Sequence, residues 1–402
     1  MFPSNLFEKK HVLVGVTGCI AAYKSCELIR YLVTQHAEVR VMLTAGGEKF
    51  ITPLTLETLS GHPVYREMFP EHQFTATHHI HLADWSDAAI LAPATANIIG
   101  KLANGIADDF VSTTLLALHS PLVIAPAMNT HMWFNPAVQR NVRLLEKAGH
   151  LICSPEEGFL AEGYSGIGRL ARLEYLIQYL YRALHPAPKS LEGKTVLITA
   201  GATREYFDPV RMITNPSTGK MGFALAWEAF ARGAQVILIH GITELTPPVQ
   251  VESYRVTSAR DMYEQVQQCF PRADIFISAA AVADYRPKTV STEKIKKKSS
   301  SFTIELEPTE DIIKEMAKQK QDHQKVVGFA METSQARENA LKKFASKQLD
   351  MIVLNDLTVR GAGFGVDTNR VTLFDSTREQ ELKLMSKLDV AREIFDFLLS
   401  QN

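Results

Sequence analysis

The chain has 402 residues, a length that suits two or three domains. Its formal net charge of −1 argues against a general nucleic-acid binder, and its 46% hydrophobic content supplies ordinary buried cores and excludes wholesale disorder. No apolar run reaches the roughly 18 residues of a membrane span; the longest, Val12 to Tyr23, stops at Lys24. Met1 to Lys10 contains no apolar signal-peptide core. Cys19, Cys26, Cys153 and Cys269 lack the paired spacing of a disulfide framework or a metal site. These features predict a soluble chain in the reducing cytoplasm, with neither nucleic acid nor membrane as partner.

In chain order, His11 to Gly15 reads as a strand, followed by a glycine turn and a helix from about Ala21 to Gln35. Further strand-like runs are Glu38 to Leu43, Ala88 to Ala92, Leu122 to Ala125 and His150 to Cys153, with helical stretches at Ile98 to Leu118 and Pro136 to Ala148. Short apolar strands alternating with helices imply a parallel sheet covered on both faces. A helix over Arg172 to Leu184 ends at His185-Pro-Ala-Pro-Lys-Ser190, where two prolines mark a linker. The pattern then restarts. Lys194 to Gly201 is strand and turn, a helix follows over Gly222 to Arg232, and Gln235 to Ile239, Asp274 to Ala279 and Met351 to Leu354 read as strands. The expected fold class is α/β: two three-layer Rossmann-like domains with mainly parallel sheets, residues 1–189 and 190–402.

In the first half, Gly15-Val-Thr-Gly18 lies between strand and helix, where small residues let backbone N–H groups approach a phosphate. It is not the full G-x-G-x-x-G fingerprint and equally suits a plain βα turn. Ala92-Pro-Ala-Thr-Ala-Asn97 and Ala125-Pro-Ala-Met-Asn129 both follow apolar strands, at the carboxyl ends where open α/β sheets bind ligands. Asn97 and Asn129 there suit a flat heterocycle or a carboxylate, or simply cap their loops. His78-His79-Ile-His81 lacks a carboxylate or cysteine at zinc spacing, leaving one acid–base histidine or a solvent-exposed histidine-rich loop.

In the second half, Asp208-Pro-Val-Arg211 and Asn215-Pro-Ser-Thr-Gly219-Lys-Met-Gly222 precede a helix, and small hydroxyl and glycine residues at a helix start suit a triphosphate. This is not a Walker motif, and a capped helix start with a surface arginine is the other reading. Ala279 to Asp284 ends an apolar run with an acid able to reach a ribose, a base amino group or Mg²⁺. Lys294, Lys296, Lys297 and Lys298 either neutralise phosphate charge over the same cleft or form a solvated face.

Gly15 to Lys24, Thr52-Pro-Leu-Thr55, His79-Ile-x-Leu82, Pro93 to Asn97, Pro126 to Asn129 and Gly166-Ile-Gly-Arg169 resemble the homo-oligomeric flavin-containing cysteine decarboxylases. With the second half included, the chain resembles the bifunctional phosphopantothenoylcysteine decarboxylase/phosphopantothenate–cysteine ligases of coenzyme A biosynthesis, over nearly its whole length. The resemblance implies FMN in a flavoprotein-like first half, near Gly18, Thr44, Pro93, Ala94, Thr95, Asn97 and Met128, with His79 catalytic and Asn129 holding the substrate carboxylate. Oxidation of the substrate thiol to a thioaldehyde would let the carboxylate leave as CO₂. One departure stands out: the family's lid loop carries a proton-donating cysteine in Ala-Cys-Gly-x-x-Gly-x-Gly-Arg, and here Glu162 takes its place. Partial burial under a closed lid would raise its pKa and suit it to replace the thiol as acid.

For the second half the resemblance implies that CTP activates 4′-phosphopantothenate as an acyl-cytidylate and that the cysteine amine displaces CMP. Asn215 would stabilise that intermediate and Lys294 the phosphate chemistry. The nucleotide would lie on Ser217, Thr218, Gly219, Ser278, Ala279, Ala280, Asp284, Glu310, Asp311, Ile312, Ile313, Phe329, Lys343 and Lys347, with Mg²⁺ as companion and no metal ligands identified. Asn355, Gly363 and Asn369 also fit the family without a specific role. Assembly of trimeric first domains into a homo-oligomer is a further expectation from the family. Competing readings are an active ligase with a decarboxylase impaired at Glu162, a flavin-binding scaffold, and a nicotinamide dehydrogenase, against which the missing fingerprint argues.

Overall fold

The computed structural model describes residues 7–69, 77–296, 302–332, 335–356 and 361–400. Lys297 and Lys298 of the lysine cluster lie outside the described residues. The chain divides into two compact units, Phe2–Pro188 and Lys189–Asn402. Among the described residues no helix is long and apolar enough to cross a membrane.

The strands of the first unit are β1 (His11–Val16), β2 (Glu38–Leu43), β3 (Val64–Tyr65), β4 (Ala88–Ala94), β5 (Leu122–Pro126), β6 (Leu151–Ile152), β7 (Glu156–Phe159) and β8 (Ser165–Arg169). Its helices are α1 (Ser25–Thr34), α2 (Pro53–Ser60), α3 (His78–Trp85), α4 (Ala96–Ala103), α5 (Phe110–Leu116), α6 (Thr130–Trp133), α7 (Pro136–Lys147) and α8 (Leu173–Ala183). Six strands form a parallel sheet in the order β3-β2-β1-β4-β5-β6. Val12, Leu13, Val14 and Val16 of β1 and every residue of β4 are buried, which is why these runs are continuously apolar rather than alternating. The core packs Leu13, Leu91, Ile124 and Phe110 together.

Three sequence expectations change here. The single helix expected over Ile98 to Leu118 is two, α4 and α5, because Gly105 turns the chain at φ 67° and Asp109 starts a new helix through a capping box with Ser112. The histidine cluster is not a loop but opens α3. The loop expected over Ala161 to Arg169 is part of an antiparallel hairpin, β7–β8, with residues 160–164 at its tip.

The second unit contains β9 (Thr195–Ala200), β10 (Arg204–Tyr206), β11 (Met212–Thr214), β12 (Gln235–His240), β13 (Glu252–Arg255), β14 (Ile275–Ser278), β15 (Tyr285–Pro287), β16 (Leu306–Pro308), β17 (Lys325–Glu332), β18 (Met351–Asp356), β19 (Thr368–Asn369), β20 (Val371–Phe374), β21 (Glu379–Glu381) and β22 (Met385–Ser386). Its helices are α9 (Lys220–Ala231), α10 (Ala259–Cys269), α11 (Ile312–Gln319), α12 (Ala336–Ser346) and α13 (Lys387–Leu399). The main sheet runs β13-β12-β9-β14-β17-β18-β20-β21, with the first six strands parallel and β20 and β21 antiparallel. Counted within each unit, the six parallel strands follow the same order, 3-2-1-4-5-6. Each sheet therefore reverses its winding between its first and fourth strands, where a crevice opens beyond the carboxyl ends. Both units are α/β with mainly parallel sheets, as the alternation of elements predicts.

Helix α9 lies against β9 so closely that a Cβ on Gly222 would fall 2.4 Å from the Cβ of Ala200. Its far end is fixed by the buried pair Arg232–Glu228 (2.7 Å) and by Arg232–Asp396 (2.6 Å), which ties α9 to α13.

Candidate active sites

The first crevice is assembled by the loops that leave β1, β2, β4 and β5. Thr17, just past β1, joins the two strands flanking the reversal: its hydroxyl donates to the Pro93 carbonyl (2.7 Å) and accepts from the Thr95 N–H (3.2 Å). Ser25 donates to the Ala92 carbonyl at 2.6 Å. Gly18 meets the β2 loop so closely that a Cβ there would stand 2.9 Å from the Gly46 carbonyl carbon, so only glycine leaves this approach open. The Thr44 hydroxyl accepts from the Gly47 N–H at 3.1 Å, and Thr95 caps α4 by accepting from Ile98. Pro93 and Ala94 are buried at the end of β4, and Asn97 is exposed on the first turn of α4. Met128 is buried, with its N–H donating to the Gly168 carbonyl at 3.0 Å. All seven expected flavin residues thus sit at the carboxyl edge of one sheet.

Asn129 is heavily used. Its Oδ1 accepts from the His131 N–H (2.8 Å) and caps α6, while its amide donates to the Tyr164 hydroxyl (2.7 Å). The Glu162 side chain is exposed, and the Asn129 amide holds its carboxyl below the usual range, the opposite direction from the rise that burial under a lid would give. The Cys19 thiol, beside Gly18, is pushed up by burial and, to a lesser degree, by the Glu162 charge. Cys153 is buried just past β6, and burial pushes its thiol far up.

His79 is half-buried on the first turn of α3. Its neighbour His78 faces Tyr65 at the end of β3 (ring centroids 6.4 Å), while Trp85 at the other end of α3 stacks on His11 at the start of β1 (4.7 Å). His79 is therefore at the carboxyl edge, on the β3 side. Among the described residues no hydrogen bond joins it to Asn129. Two contributors escaped the sequence reading, Tyr164 and Thr130. The Thr130 Oγ1 is buried without a partner, and a Cβ on Gly166 would lie 2.3 Å from it. Neither residue type signals such a position by itself.

The second crevice is lined by Ser217, Thr218, Gly219, Ala279, Ala280 and Phe329 of the expected set. Lys220, Met221, Asn355, Phe364, Asn369 and Lys387 join them. Gly219 turns into α9 at φ 84°, and a Cβ there would press on Gly201 at 3.3 Å. The Ala281 N–H donates to the Gly201 carbonyl (2.7 Å), drawing the loops after β9 and β14 together. Asn215 bridges toward them, donating to the carbonyls of Ala281 (3.2 Å) and Val282 (3.3 Å). The Asn355 Oδ1, at the end of β18, is buried without a partner.

Other expected nucleotide residues lie apart from that lining. Ser278 closes β14 half-buried. Asp284 is exposed, with its carbonyl accepting from Thr309. Lys294 is exposed beside Ile295, whose backbone is tied to Asp208 and Arg211. Glu310 pairs with Arg286 (3.2 Å) and Asp311 with Lys347 (2.8 Å), while Ile312 and Ile313 pack into the core and Lys343 lies on α12. Among the described residues no group of three His, Cys, Asp or Glu side chains could hold a metal ion.

Residues 3–185 match the family model described as Flavoprotein, and residues 191–401 match that of the DNA/pantothenate metabolism flavoprotein C-terminal domain. The chain is 49% identical over 392 residues to the coenzyme A biosynthesis bifunctional protein CoaBC of Bacillus subtilis (strain 168), covering 97% of this chain and 96% of that one. It is 40% identical to the protein of the same description from Escherichia coli (strain K12), covering 98% and 97%. It is also 44% identical, over 87% of this chain and 99% of the other, to a cysteine/cysteine sulfinic acid decarboxylase from an unknown prokaryotic organism.

Proposed function

The chain belongs to the coenzyme A biosynthesis bifunctional proteins, which carry a flavoprotein decarboxylase and a phosphopantothenate–cysteine ligase on one polypeptide. From that premise we propose that its two crevices serve consecutive steps on one metabolite. The crevice of residues 190–402 joins 4′-phosphopantothenate to cysteine at the expense of CTP, through an acyl-cytidylate. The crevice of residues 1–189 then decarboxylates the product to 4′-phosphopantetheine with FMN. The observation that carries the decarboxylase reading is Asn129, which caps the loop beyond β5 at the carboxyl edge of the sheet and donates its amide to the Tyr164 hydroxyl.

The residues present suit FMN. Gly18 lacks the side chain that would close the gap to Gly46, and Thr130 keeps a buried hydroxyl without a partner. Gly18, Thr44, the Pro93–Asn97 loop and Met128 would hold it, with backbone N–H groups and hydroxyls for its phosphate. When bound, FMN would supply a reversible two-electron acceptor, taking two electrons from the thiol-bearing acid before CO₂ leaves and returning them afterwards, so that formation of 4′-phosphopantetheine is redox-neutral overall. Asn129 would orient the substrate carboxylate. Glu162 can serve as proton donor only where burial lifts its pKa. His79 is the proposed acid–base residue.

In the ligase crevice, the N–H groups at the start of α9 and the hydroxyls of Ser217 and Thr218 face the polyphosphate. Asn215 stands beside the carbonyls of Ala281 and Val282, in reach of the activated acyl group, and Lys294 offsets phosphate charge. The cysteine amine then attacks the acyl carbon and CMP leaves. The described residues build no protein cage for Mg²⁺. A homo-oligomer of trimeric first units belongs to the same reading.

The test supplies 4′-phosphopantothenate, cysteine, CTP and Mg²⁺ and follows CMP and CO₂ separately. Both should appear, and Glu162→Gln should keep CMP release while lowering CO₂ release. CMP without CO₂ from the unmodified chain would favour an active ligase with an impaired decarboxylase. Undiminished CO₂ from Glu162→Gln would remove the proton-donor role. Free cysteine and cysteine sulfinate, offered alone, check whether the decarboxylase shares the substrates named for one relative.

A further inference from the structure

Lys387 opens helix α13 and is 7% exposed. Its ammonium donates to the carbonyls of Gly363 (3.0 Å) and Val366 (2.5 Å), in the glycine-rich segment Gly361 to Asp367. Among the described residues no carboxylate pairs with it. Asp367, the nearest acid that acts on it, is engaged by Lys220 of α9 at 2.7 Å. This placement is costly twice over. Among the described residues an ammonium is buried with no carboxylate in direct contact, and a cation sits at the positive end of a helix dipole. An ammonium also has three N–H donors, and two carbonyls occupy two of them. The same side chain lines the ligase crevice beside Ser217, Gly219 and Asn355. Lys220, on the same wall, is differently placed, since Gly365 (2.8 Å) and Asp367 already satisfy it.

We propose that Lys387 is a ligand-binding residue of the ligase crevice, its remaining N–H taking an oxygen of a phosphoryl group carried by the nucleotide or by 4′-phosphopantothenate. This deepens the ligase reading and rests on it. The phosphoryl charge supplies a counter-ion in direct contact, and the Gly363 and Val366 carbonyls fix the direction of the donor.

The charge on Lys387 has a readable pH dependence. Burial and, to a lesser degree, the Lys220 charge push its pKa down to about 8 against the opposing charge of Asp367. The other charged groups near the start of α13, Asp389 and Arg392, pair with each other, and Arg370 pairs with Glu381. An anion held by Lys387 therefore binds below that pKa and is released as pH rises through it.

The experiment titrates the full chain with CTP and, separately, with 4′-phosphopantothenate, by calorimetry from about pH 7 to about pH 9. In one arm the unmodified chain should lose affinity across that range, and the arm that does so names the source of the phosphoryl group. There Lys387→Met should bind on the order of tenfold more weakly near pH 7, with a flat profile, while Lys387→Arg should keep the affinity and lose the slope. If Lys387→Met fails to fold, the Arg variant and the slope of the unmodified chain decide. Unchanged affinity in a folded Met variant, or flat profiles for the unmodified chain in both arms, would overturn the proposal and leave the ligase reading intact. Binding of neither ligand by the unmodified chain would overturn both.

Discussion

Asp208 shows how one side chain can organise a segment. Fully buried, it accepts from the N–H groups of Val210 (2.8 Å), Arg211 (2.8 Å) and Ile295 (3.2 Å) and from the Arg211 guanidinium (3.0 Å). Burial alone would raise its pKa, but these donors outweigh burial and hold it down at about 2. That lies below the unfolded value of about 3.9, so its stabilising contribution is present above that value and disappears as pH falls through about 2. Acid unfolding followed by circular dichroism should show this loss, and Asp208→Asn should abolish that part of the profile while destabilising the chain at neutral pH. The motif Asp208-Pro-Val-Arg211 was visible in the sequence, but its purpose was not, because Ile295 lies 87 residues further on. Lys387 was invisible for a similar reason. A lysine on a helix reads as a solvated face, and only the segment around Gly363 decides otherwise. Gly18, Ser217 to Gly219 and Ala279 were legible because strand-end turns announce themselves in small residues.

At the scale of elements, the β7–β8 hairpin depends on a missing side chain. A Cβ on Gly168 would fall 2.1 Å from the Met128 carbonyl, whose own N–H bonds back to Gly168. Gly168→Ala should lift the hairpin from the Met128–Asn129 loop at a cost of about 1–3 kcal/mol, lowering CO₂ release while CMP release is unchanged. Assaying the two half-reactions on one preparation checks this. The hairpin was not readable as such, since a run rich in glycine with few β-branched residues carries the signature of a loop. The break between α4 and α5 was likewise hidden. Apolar periodicity continues through it, and the evidence for a restart is the local chemistry of Gly105 and Asp109. The strands β1, β4, β5 and β9 were legible because burial on both faces makes them predominantly apolar.

The whole molecule repeats one solution, and its α/β class was plain from the alternation of elements and the proline-marked linker. Among the described residues neither main sheet takes a strand from the other unit. Residues 1–188 and 189–402 expressed apart should each unfold cooperatively, with CO₂ release confined to the first and CMP release to the second. Thermal melts of the two pieces, with each half-reaction assayed on both, check this. A sheet that is never shared also quarantines damage. A substitution that disturbs one unit's sheet leaves the strand order of the other untouched, so either unit can be remodelled by small increments without passing through a chain that no longer folds.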